Sequence, residues 1–126
     1  MKEYKFPWPN EERGYKLFPE ELENDSCVLF HGTSERKLQQ IIDNGFKASP
    51  PLESVSYAKC SSYSLGHLCQ NQSNETLENG VVIAVKFESL NLPGIVENIS
   101  DIHVYKEELQ PEIIGLCRVP KNYKHR

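Results

Sequence analysis

The chain has 126 residues, 38% hydrophobic and 25% charged, a balance that describes one globular domain rather than a disordered or fibrous segment. Its 14 basic and 18 acidic residues give a formal net charge of −4, which argues against a general polyanion binder, because nucleic-acid affinity rests largely on Lys and Arg neutralising phosphates. No run approaches the ~18 apolar residues of a membrane span, and MKEYKFPWPNEERGYK lacks the apolar centre of a secretion signal, so a cytoplasmic protein with no membrane contact is expected.

Residues 1–26 mix charge, aromatics and proline. They read as an irregular arm pinned by Phe6, Trp8, Tyr15, Leu17 and Phe18, with one helical turn at PEELEN. The domain proper spans 27–119. It opens with Cys27-Val28-Leu29-Phe30, an apolar run short enough for a buried strand, which ends at His31-Gly32-Thr33. Ser34 is placed as the N-cap of a helix whose apolar stripe is Leu38, Ile41 and Ile42, with Gly45 as its C-cap. Phe46 returns to the core and Pro50-Pro51 marks a loop.

Val55–Ala58 is a short strand. Cys60–Gln70 is a helix with Leu65, Leu68 and Cys69 inward, and 70–80 a solvated loop. The β-branched run Val81–Phe87 is the clearest strand. Leu92-Pro93-Gly94 is a turn, and Leu109-Gln110-Pro111 joins strands at Ile102–Tyr105 and Ile113–Val119. The basic tail 120–126 is expected to fray. The sum is an α+β domain with two main helices.

Cys27, Cys60, Cys69 and Cys117 form no CxxC pair and read as reduced, mostly buried thiols. Cys60, His67 and Cys69 match no zinc spacing, so no metal is expected. The sequons at Asn24, Asn71, Asn74 and Asn98 read as accidental without a secretory route. His103 alternates with Ile102 and Val104 and reads as an exposed strand histidine; Glu97 reads as a solvated loop charge.

A histidine at the end of a buried strand, followed by glycine and a hydroxyl residue, marks the most informative place in the chain. VLFHGTSERKLQQIIDNGFKAS resembles the start of the ADP-ribosyltransferase catalytic fold, in the diphtheria-toxin-like branch that includes the poly(ADP-ribose) polymerases. His31, Gly32, Thr33, Ile41, Ile42, Gly45 and Phe46 fall on that pattern. SVSYAKCSSYSLGHL resembles the family's second block, a tyrosine-bearing strand running into a Ser-x-Ser helix, here Ser62-Tyr63-Ser64. Val81–Phe87 and DIHVYKEELQPEIIGLCRV resemble its later strands, with the Pro-Glu turn at Pro111-Glu112.

The resemblance covers roughly 27–119 and implies a split β-sheet core that uses NAD as a substrate. His31 would bond the adenosine-side ribose. The Gly32 backbone and Ser64 would hold the nicotinamide carboxamide beside Thr33 and Tyr63. Tyr57 would stack on the nicotinamide. Asp101 would act as the catalytic acid on the nicotinamide ribose. Two departures stand beside this. Anchored on Ser-x-Ser without gaps, the family's first tyrosine falls on Ser56 rather than Tyr57, and its second falls on Cys69, with His67 and Tyr63 as substitutes. The acid falls on Asp101, or on Ser100 if the Pro-Glu turn shifts by one residue.

The expected activity is therefore a mono-ADP-ribosyltransferase releasing nicotinamide, with an unidentified acceptor, a protein in preference to a nucleic acid. The alternative is an inactive module of the same fold that binds NAD, ADP-ribose or a protein partner, with Trp8 as partner surface. A related RNA phosphotransferase is disfavoured, since Arg36, Lys37 and Lys47 are the only candidates near the front of the domain to hold an RNA phosphate, and no set of arginines stands out.

Overall fold

The core forms around the strand with the densest run of β-branched residues. In the computed structural model, which describes residues 2–8, 11–48, 50–71, 78–121 and 123, this is β4, Gly80–Lys86. Its Val81–Val85 are all fully buried, as a strand covered on both faces requires. The other strands are β1 (Lys2–Tyr4), β2 (Val28–Ser34), β3 (Val55–Ala58), β5 (Ile95–Glu97), β6 (Asp101–Val104) and β7 (Glu112–Val119). The helices are α1 (Glu20–Glu23), α2 (Leu38–Asn44) and α3 (Ser61–Asn71).

All seven strands join one mixed sheet in the order β1-β7-β4-β2-β3-β6-β5, so the domain is α+β. Among the described residues only the β1–β7 pair is parallel. Strand periodicity divides the core in two. Val28, Phe30, Val82 and Ala84 face α3 and the arm residues Phe6, Leu17 and Phe18. Leu29, Val81, Ile83 and Val85 face Leu38, Phe46, Tyr57, Ile102 and Val104.

The sheet is nearly cut in half between β2 and β3. Seven residue pairs link β2 to β4, but only Phe30↔Ala58 links β2 to β3. Beyond that pair the two strands separate, and the gap becomes a cleft.

Several elements differ from the sequence reading. β2 does not stop at Phe30; pairing with β4 carries it through His31-Gly32-Thr33 to Ser34. His31 thus sits in mid-strand. Ser34 makes no side-chain cap bond, and a 3-10 turn at Glu35–Lys37 precedes α2. Its Oγ is buried without a hydrogen-bond partner among the described residues. Gly45 does close α2, with φ +82, a backbone region that favours glycine, and its N–H bonds the Ile41 carbonyl. Ile42 points outward, leaving Leu38 and Ile41 as the packed stripe.

The arm is more regular than expected, since Lys2–Tyr4 pairs with Gly115–Cys117. Arg118 fixes that edge through Glu3 at 3.3 Å and Glu35 at 2.8 Å. Glu23 ties the arm to α3: its carboxylate accepts from the Phe18 N–H and the Ser61 hydroxyl, and Ser61 Oγ accepts from the Leu17 N–H at 2.9 Å. Trp8 is 58% exposed but touches the rings of Phe6 and Tyr123. None of the four cysteines is in a disulfide, yet only Cys117 is fully buried, which pushes its thiol up to about 12. Most of the loop between α3 and β4 (72–77) and most of the tail lie outside the described residues.

No helix among the described residues is long and apolar enough to cross a membrane.

Candidate active site

A cleft of about 710 Å³ occupies the gap between the half-sheets, within the ~300–1,000 Å³ usual for small-molecule sites. One wall is the β2 segment His31-Gly32-Thr33. The other is β3 with β6, presenting Ser54, Ser56, Asp101 and His103. Tyr63, Ser64 and His67 of α3 also line it, as do Lys37 and Lys47.

His31 holds the two halves where the strands have parted. Its Nδ1 lies 2.9 Å from the Ser56 carbonyl oxygen. A carbonyl only accepts, so Nδ1 carries the proton and Nε2 keeps the lone pair. The ring packs edge-on against Phe46 at 5.2 Å and tilts over Tyr57 at 5.7 Å. Burial lowers its pKa, the Ser56 bond opposes that, and the charges of His67 and Lys37 lower it further. The imidazole is thus kept neutral, with Nε2 as an acceptor for a ligand hydroxyl.

This depressed pKa has a stability consequence with a defined sign. Below the ordinary histidine value of about 6.5 the unfolded chain takes up a proton that the folded chain resists. Stability is therefore expected to fall as pH drops from about 6.5 toward the lowered value, and to level off below it. Urea unfolding of wild type and His31→Asn between pH 7 and 5 checks this; equal slopes would remove His31 as the cause.

Gly32 serves a different purpose from close ligand approach alone. A Cβ there would lie 3.1 Å from Leu68 Cγ and 3.2 Å from the Ser64 carbonyl. The absent side chain lets α3 sit on β2, and Ser64, itself buried, donates to the Phe30 carbonyl at 3.2 Å. Gly32→Ala should push α3 outward and cost about 1–3 kcal/mol by overpacking. Chemical denaturation measures it, and a loss under about 0.5 kcal/mol, the usual scatter of innocuous changes, would show that α3 yields freely.

On the facing wall Asp101 is bonded on both oxygens, to Asn98 Nδ2 at 3.0 Å and His103 Nε2 at 3.2 Å. His103 Nδ1 is 3.0 Å from Ser54 Oγ. Sequence reading took His103 for an exposed strand residue; it does face away from Ile102 and Val104, but into the cleft. The signal that could have found it is its i, i+2 spacing from Asp101, which puts both on one face of β6. Glu97 is paired with Lys59 at 2.8 Å rather than solvated alone.

The cleft brings together His31, Gly32, Thr33, Ser56, Tyr63, Ser64 and Asp101, with Ser100 and His67 beside them. Tyr57 is not among them. The register Ser56↔His103 and Tyr57↔Ile102 runs without a bulge, so Ser56 shares the cleft face and Tyr57 the core face. Tyr57 is 1% exposed between Phe46 and Phe87, and burial raises its phenol far above the ordinary range. Cys69 packs against the core with α3, leaving His67 and Tyr63 as the cleft rings of that helix.

Gln110 was not foreseen. Its side-chain amide accepts from Phe46 N–H and donates to Phe46 O, both at 2.8 Å, pinning the strip after α2 that walls the cleft. Among the described residues no group of three or more His, Cys, Asp or Glu side chains could hold a metal ion.

No model of a known protein family matches the chain, and no curated protein matches it significantly.

Proposed function

We propose that this protein is an NAD-dependent mono-ADP-ribosyltransferase, with an ADP-ribosyltransferase-like split-sheet core. The observation that carries the reading is the meeting of His31 and Asp101, 70 positions apart, on opposite walls of one cleft at the split. In this reading His31 Nε2 accepts from a ribose hydroxyl of the adenosine side. The Gly32 backbone and the remaining lone pairs of Ser64 Oγ hold the nicotinamide carboxamide. Tyr63 and His67 flank the ring, and Thr33 and Ser56 line its pocket. Asp101 stabilises the cationic sugar as nicotinamide departs.

One observation favours a second reading, an NAD- or ADP-ribose-binding module without turnover: the aromatic ring expected to stack on nicotinamide, Tyr57, lies in the core, and Ser56 stands at the cleft. Nicotinamide release and the thermal shift with NAD separate the two. Release by wild type, reduced at least tenfold in His31→Ala, supports the transferase. A shift without release supports the module. Neither release nor shift rejects both.

A further inference from the structure

The chain Ser54–His103–Asp101–Asn98 crosses three parts of the β3–β6 half-sheet and opens on the cleft at Ser54, His103 and Asp101. Nothing in holding a dinucleotide requires it. An ionised carboxylate only accepts, so the Asp101 contact places the proton of the His103 ring on Nε2. Nδ1 then has a lone pair, and the Ser54 hydroxyl donates to it. The cleft therefore contains a directed path for a proton, from a group beside Ser54, through Ser54 Oγ, to His103, with Asp101 behind the imidazolium that results. Ser54 precedes β3, Asn98 follows β5, and β6 carries the other two, so only the folded sheet assembles the path.

We propose that this path accepts the proton of the acceptor nucleophile, and that the acceptor is therefore a hydroxyl group; the inference rests on the transferase reading above. A carboxylate acceptor brings no proton, so a relay does nothing for it. A guanidinium acceptor is itself cationic and would share the cleft with Lys37, and with Lys47, whose charge Glu107 partly offsets at 3.7 Å, so a neutral acceptor fits better. A hydroxyl is neutral and must lose a proton as it attacks. In the step, the bond between nicotinamide nitrogen and ribose C1″ breaks, and nicotinamide leaves neutral with the bonding pair. The acceptor oxygen bonds to C1″. Its proton passes to Ser54 Oγ as the Ser54 proton passes to His103 Nδ1, and the imidazolium later returns that proton to water. His103 acts through Ser54 and is a positioning and relay residue.

The test uses two peptides that differ only in a central serine or glutamate, with NAD, wild-type protein, His103→Gln and Ser54→Ala. Glutamine keeps an N–H for Asp101 but cannot take up a proton. Wild type should modify the serine peptide in preference to the glutamate peptide. His103→Gln should lower kcat on the serine peptide about 10²-fold or more, the scale of a lost proton acceptor, with KM for NAD within about twofold. Ser54→Ala should lower kcat at least tenfold, with melting temperatures held close to wild type. Preference for the glutamate peptide, unchanged serine transfer in His103→Gln, or a loss confined to KM would each overturn the inference while leaving the transferase standing. Failure of wild type to release nicotinamide at all would remove the transferase and the inference together.

Discussion

In the proposed transferase, Asp101→Asn is expected to slow nicotinamide release from NAD by about 10²–10³-fold, the effect of removing one preorganised charge-stabilising group from an active site. Asparagine has nearly the same shape and its Oδ1 can still accept from Asn98 Nδ2, so the turn before β6 keeps its form, while its Nδ2 donates and meets His103 Nε2 only when the ring proton sits on Nδ1. What it loses is the negative charge. As the bond to nicotinamide stretches, positive charge grows on the ribose, and a charge fixed beside it is worth more in the transition state than in the bound substrate. The loss should therefore fall on kcat, with NAD affinity little changed and the melting temperature within a few degrees. Ser100, the other position the sequence allowed for the acid, also lines the cleft but carries no charge. If Asp101→Asn turns over like wild type, Asp101 is not the acid. Glu97, held by Lys59, would be the next carboxylate to replace.

How much of this was legible depended on whether the signal was local. β4 announces itself through five consecutive buried residues of mostly branched type, and α3 through the spacing of Leu65, Leu68 and Cys69. The end of β2 was hidden because His31-Gly32-Thr33 has turn-like composition, while the force extending it is pairing with β4, about 50 residues away. The same holds for β1, whose three residues form a strand only against β7 at the other end of the chain. Ser34 has the residue type of a cap, but strand pairing claims its backbone first, and the turn that follows is 3-10. His31 and Asp101 were found because the motif order around them resembles a family. Ser54 lies outside the matched blocks, and His103 and Gln110 lie inside the last one without carrying the resemblance; their roles come from contacts across 49 and 64 positions.

Tyr57 provides the other large expected effect, on stability rather than turnover. Its ring meets His31, Phe46 and Phe87, all within 5.7 Å between centroids, so Tyr57→Ala opens a cavity in the packed centre of the half-sheet. Truncation of a buried aromatic costs about 3–5 kcal/mol, a large share of the ~5–15 kcal/mol of a typical domain. Tyr57→Phe keeps the ring and should stay within about 1.5 kcal/mol of wild type, as volume-conserving core changes do. The phenol adds an alkaline signature. Its raised pKa means the folded chain keeps the proton that the unfolded chain gives up above about 10, so wild type should lose stability as pH rises past that value. Tyr57→Phe should lose less over the same range. Tyr57→Phe, which keeps the ring against His31, should leave NAD affinity unchanged, because Tyr57 itself does not line the cleft. A Tyr57→Phe protein of full stability and a Tyr57→Leu protein that folds but loses NAD binding tenfold would place the ring against the nicotinamide after all, and would require β3 to shift by one residue. Ser56 supplies the converse. It is exposed on the cleft wall, so Ser56→Tyr should fold normally and, if nicotinamide lies where the proposed site holds it, bind NAD more tightly through the ring it adds.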